Sequence, residues 1–195
     1  MSDPVEVLDY WLGDVGEDGW YAGGDDLDGE IRDRFADLWQ AALDGGLDHW
    51  VDGPAGALAF IVLTDQFPRN MWRGQARAFA TDPIALAAAG RAIAQGWDLV
   101  APEPARQFFY LPFMHSEDPA HQATCIDHFS TRMPDTGASN LLHAKAHARV
   151  IERFGRFPYR NAALGRDTTP DEAAFMAEGG YGSVVEALKS ADLPQ

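Results

Sequence analysis

Cysteine is almost absent from this chain. Cys125 is the single one in 195 residues, which excludes an internal disulfide and fits a reducing compartment. Lysine is nearly as scarce, two of the fifteen basic residues, so cationic chemistry falls to arginine. No stretch approaches the ~18–20 apolar residues that span a bilayer. The first residues, MSDPVEVLDYWLGD, show no basic region ahead of an apolar run, so no secretory signal is expected. A soluble, cytoplasmic protein follows as the expectation. Also missing are alternating apolar–polar segments, a nucleotide-binding glycine fingerprint and a G-x-S-x-G elbow, which argues against strands, dinucleotide binding and serine hydrolysis.

What is present is a chain able to bury a core. Hydrophobic residues make up 46% and aromatic residues 11%, and the length suits one domain over 1–195. The net charge of -15 is unevenly spread. Residues 1–52 carry 15 acidic and 2 basic residues, whereas Lys145 to Arg166 hold six basic residues against Glu152 alone. An acidic protein repels nucleic acid and anionic membranes at long range, so neither is an expected partner. The basic island is suited to a small anion, or to pairing with the acidic N-terminal third.

The stretch Ala55 to Asn70, AGALAFIVLTDQFPRN, organises the rest. Its first part is apolar on every side, as expected of a helix buried among neighbours. Pro68 predicts a break there, because it cannot continue a helix and biases Phe67 toward extended geometry. Elsewhere the apolar spacing predicts helices from Asp3-Pro4 to about Leu12, Asp26 to Leu43, Ile84 to Gln95, Pro119 to Arg132, Asn140 to Phe154, and from Thr169 to Glu178. Gly13 to Gly24 reads as a loop, and a weaker helix lies near Val184 to Leu188. The sum is an all-α protein of seven or eight helices in antiparallel pairs. Such pairs suggest a tetratricopeptide solenoid, although that repeat's own sequence pattern is absent.

Four polar clusters fall where helices end: Asp65 with Arg69 and Asn70, Tyr110 to Glu117, His147 with Arg153, and Arg156 to Asn161. One reading gathers them in a pocket for a small anionic metabolite. Arg69, Arg153, Arg156 and Arg160 are its candidate anion binders, because guanidinium forks match carboxylate and phosphate. Asp65, Asn70 and Asn161 complete the polar lining. His115, Glu117 and His147 are the candidate acid and base groups, histidine titrating near neutrality. The other reading makes the clusters structural clips at helix ends, with Asp65 and Arg69 as an ion pair and Ser116 or Asp118 as a helix cap. Metal binding is disfavoured: His143 and His147 are four apart, but no glutamate lies between them and Lys145 does. No metal and no cofactor are therefore expected.

The segments DQFPRN at 65–70, ARAFATDP at 76–83, FFYLPFMHSED at 108–118 and ERFGRFPYRN with LGR at 152–166 resemble, in order, the signatures of one bacterial family, domain of unknown function nine-two-four. The resemblance spans most of the chain. It implies a helical fold near the tetratricopeptide-like group, a right-handed helical array, and brings no activity with it. Its pattern matches Asp65, Arg69, Asn70, His115, Glu117, His147, Arg153, Arg156, Arg160 and Asn161. The family usually shows histidine where this chain has Tyr159, and His121 and His143 lie outside the pattern. The expected function is a polar pocket binding a small anion, with acid–base catalysis as an extension. The alternative is a non-enzymatic adaptor that binds a protein partner.

Overall fold

The computed structural model describes residues 3–191, and every regular element among them is helical. The chain divides into two units, Met1–Pro112 and Phe113–Gln195.

In the first unit, Asp3 caps α1 (Pro4–Leu8) by accepting the Val5 amide hydrogen at 2.9 Å. The expected loop over Gly13 to Gly24 is shorter than its composition implied. The chain runs from α1 through a wide π turn, Asp9–Val15, into α2 (Gly16–Gly19), because Tyr10 and Trp11 are fully buried and keep the backbone helical. Helix α3 (Asp25–Leu43) buries Ile31, Phe35, Trp39 and Ala42, at the expected spacing, and also Asp28. A 3₁₀ turn, Asp48–Asp52, leads into α4 (Pro54–Ile61). Gly56 is required there, since a Cβ on it would sit 2.2 Å from the Trp50 carbonyl oxygen.

The expected break at Pro68 does not occur. Helix α4 widens into a π turn, Val62–Gln66, and continues as α5 (Phe67–Met71), with Pro68 in its first turn. The Phe67 amide reaches back five residues to the Val62 carbonyl. Pro68 has no N–H for the Thr64 carbonyl four residues earlier. The Thr81 hydroxyl donates to that carbonyl instead, at 2.6 Å, and itself accepts from Trp39 Nε1 at 3.0 Å. Thr81 lies just ahead of α6 (Asp82–Ala94), whose buried alanines permit close packing against α4. Helix α7 (Leu111–Met114) spans the boundary between the units.

The second unit holds α8 (Pro119–Arg132), capped by Asp118, α9 (Ala138–Phe154), α10 (Pro170–Ala177) and α11 (Gly180–Ala191). Helix α11 is longer than the expected Val184 to Leu188 and packs along α9. Gly155 in left-handed geometry (φ 68°) closes α9. Val150, Ile151, Phe157 and Phe175 form a buried cluster, with Phe154, Tyr181 and Val184 against it.

Replacing Thr81 with valine keeps the shape but leaves the Thr64 carbonyl and Trp39 Nε1 without this partner. At about 1–3 kcal/mol for each of these two unsatisfied buried groups, the loss should be about 2–6 kcal/mol, read by denaturant unfolding. An unchanged midpoint would mean that the π turn does not depend on Thr81.

Candidate functional site

Of the candidate residues, Asp65, Arg69 and Asn70 lie in the first unit. Asp65 is fully buried on the π turn and accepts a hydrogen bond from Gln66. Arg69 Nη1 lies 3.4 Å from Asp65 Oδ1 and 3.0 Å from Asp82 Oδ1, and donates to the Asp65 backbone carbonyl. Its guanidinium thus bridges two carboxylates at the start of α6. Asn70 donates to Asp28 Oδ1 at 2.9 Å, and Arg73 grips the same carboxylate from two nitrogens at 3.0 Å each. These groups border a polar recess of about 410 Å³. Asp28 and Arg73 had no motif to mark them in the sequence, and Asp82 lay in the ARAFATDP segment with no role attached to it. Each is an ordinary surface residue type made specific by its partner.

The remaining candidates lie in the second unit, and Glu117, Arg156, Arg160 and Asn161 meet on or at the loop after α9. Glu117 accepts from both terminal nitrogens of Arg166 (2.8 and 3.1 Å) and from the Phe157 amide at 2.8 Å. Burial pushes its carboxyl pKa up, but the Arg166 and Phe157 hydrogen bonds, with the charges of Arg166 and Arg160, hold it below the ordinary range. Glu117 is therefore an ionised clasp at neutral pH. Arg156 grips Glu172 through Nε (2.6 Å) and Nη2 (2.9 Å), and Asn161 Nδ2 adds a contact at 3.2 Å. The Arg156 bonds foremost, then the Thr169 amide, hold the Glu172 carboxyl down at about 2. Glu172 and Thr169 also form a capping box on α10. Arg156 and Asn161 are thus turned to an internal carboxylate. Arg153 lies apart from them, over the rings of Phe154 (4.7 Å) and Phe175 (5.5 Å).

His147 and Arg160 share one ring. The imidazole packs edge-on against Phe157 with centroids 5.3 Å apart, and the Arg160 guanidinium carbon lies 4.6 Å from the same centroid. His147 Nδ1 is 2.9 Å from the His143 backbone carbonyl. A carbonyl only accepts, so Nδ1 carries the hydrogen and Nε2 keeps the lone pair. Nε2 has no hydrogen-bond partner among the described residues. Tyr181 closes another side, 4.7 Å from His147, with its hydroxyl 2.6 Å from His143 Nδ1. Burial lowers the His147 pKa to about 3; the His143 carbonyl opposes this, and the charges of His115 and Arg160 add to it. Among the described residues no three His, Cys, Asp or Glu side chains gather to hold a metal ion.

A native imidazole held near 3, against 6.5 in the open chain, binds fewer protons than the unfolded state between those values. Stability is thus fully present above about pH 6.5 and is lost as pH falls toward 3, by up to about 1.4 kcal/mol per pH unit for this one proton. Glu117, with its depressed pKa, acts in the same direction at more acid pH. His147→Gln should flatten the slope between pH 6.5 and 4.5 in pH-dependent unfolding. An equal slope in both proteins would show that His147 is not protected from protonation.

No curated protein matches the chain. A solved structure of a protein of unknown function from Agrobacterium tumefaciens is similar to it, with 42% identity and a TM-score of 0.84 over 90% of this chain and 97% of that one. No helix among the described residues is long and apolar enough to cross a membrane. A family model described as bacterial protein of unknown function (DUF924) matches residues 7–180, and the chain belongs to that family.

Proposed function

We propose that the protein binds a small anionic metabolite beside Phe157, with His115, His147 and Arg160 facing the ligand. The observation that carries this reading is the pairing of a guanidinium with a tautomer-fixed imidazole on one aromatic ring. Burial foremost holds that imidazole neutral, and the Arg160 guanidinium on the same ring adds a positive charge beside it. An anion is the ligand such a charge favours, and a cation the one it repels. Arg156 and Asn161 serve as supports in this reading, because their donors already meet Glu172. Glu117 plays the same part, positioning the Phe157 loop through its amide. His147 Nε2 is the proton acceptor if the bound anion reacts.

An anion seated there should raise the His147 pKa, because it offsets the Arg160 charge that adds to the effect of burial. Binding to the native state alone should add RT ln(1 + [L]/Kd), about 2.7 kcal/mol at a hundredfold excess over Kd. The test is a thermal-shift screen of phosphorylated and carboxylated metabolites at fixed ionic strength, with neutral analogues beside them. His147 ring resonances are followed by NMR for each hit. Hits confined to anions, with a raised His147 pKa that Arg160→Lys diminishes, are the expected result. No anion-dependent shift, or hits that leave His147 unmoved, would refute the reading.

A further inference from the structure

A separate cleft of about 500 Å³ opens in the second unit between α9, α10 and α11. That volume falls within the range of small-molecule sites. Its apolar walls are Val150, Phe154, Phe175, Val184 and Leu188. Four charged residues border it, and they are not alike. Arg149 and Glu152 neutralise each other at 2.9 Å. Arg153 and Glu178 do not: among the described residues neither side chain forms an ion pair or a hydrogen bond.

The placement of those two charges is informative. Arg153 lies over the Phe175 ring. Glu178 follows Phe175 by three residues at the end of α10, the spacing that shares a helix face. Both charges border the same cleft, with no ion pair between them. A guanidinium stacked on aromatic faces keeps its in-plane N–H edge for a carboxylate. The Glu178 carboxylate on the lining of the same cleft suits an ammonium.

We propose that this cleft binds a zwitterion with an apolar body, an aromatic or branched amino acid, its carboxylate on Arg153 and its ammonium on Glu178. The apolar side chain lies against Phe154, Phe175 and Val184. A plain apolar acid would leave Glu178 facing a ligand of its own sign, and a neutral apolar molecule would use neither charge.

Calorimetric titration of the whole chain with L-phenylalanine and L-leucine tests this, with N-acetyl-L-phenylalanine lacking the cation and L-phenylalanine amide lacking the carboxylate. Saturable binding of a zwitterion, weakened tenfold or more in each derivative, is expected. Arg153→Leu should abolish discrimination against the amide, and Glu178→Gln discrimination against the N-acetyl acid. Both residues are exposed, and an unchanged melting temperature would show that each variant folds. Absence of saturable binding by either amino acid would overturn the proposal. So would equal affinity for the N-acetyl acid, which would make the cleft a site for simple apolar carboxylates. Equal affinity for the amide, or variants that bind as well as the parent, would overturn it too.

Discussion

One missing hydrogen governs the first unit. Pro68 gives no amide proton to the carbonyl of Thr64, and Thr64 has no exposed surface through which water could replace it. An unmet carbonyl at such depth costs about 1–3 kcal/mol, so the surroundings are built to meet it. Thr81 does so, and its hydroxyl then fixes Trp39, whose ring lies 4.2 Å from Trp72. Arg77 covers both indoles, at 4.7 and 4.1 Å. On the next residue Arg69 donates to the Asp65 carbonyl and reaches Asp82. The start of α6 is thereby tied to the π turn through Thr81 and through Asp82.

Arginine has a similar architectural use in the second unit. The basic island from Lys145 to Arg166 looked like an unneutralised surface, or one awaiting the acidic N-terminal third. Its Arg156 and Arg166 instead hold Glu172 and Glu117, acids that flank the island in sequence. Each contact is bidentate, which fixes orientation as well as charge and is beyond the reach of lysine. The scarcity of lysine is consistent with that demand. Because each pair lies largely out of water, removing one partner would strand the other, a larger effect than losing an exposed ion pair.

Much of the fold was legible because it rests on local rules. Asp118 and Thr169 cap as their types predict, Gly155 ends α9, and apolar spacing located α3, α8 and α9. The π turn was not legible, since it arises from a compromise among Pro68, Thr81 and Trp39, three residues distant in sequence. The polar clusters do not all lie at helix ends, since Asp65 sits on the π turn of a continuing helix and His147 in the middle of α9, and their inner wiring was not legible. Arg73 reaches Asp28 across 45 residues, and Arg166 reaches Glu117 across 49; no periodicity encodes either choice. His147 stood out as a residue type, whereas its tautomer depended on a carbonyl one turn away.

That tautomer bears on how binding and proton transfer relate at the proposed site. An imidazole held near 3 is a weak base at neutral pH, and general-base catalysis works best when the base titrates near the working pH. The Arg160 charge contributes to the depression, and it would interact with a bound anion. Charge neutralisation by the ligand would therefore strengthen the base at the moment it is needed. The empty site, by contrast, would keep His147 inert. Nδ1–H stays on the His143 carbonyl throughout, so the proton must enter and leave by Nε2. At the proposed site, anion binding and basicity at His147 would be two expressions of one local environment, set by burial and by Arg160.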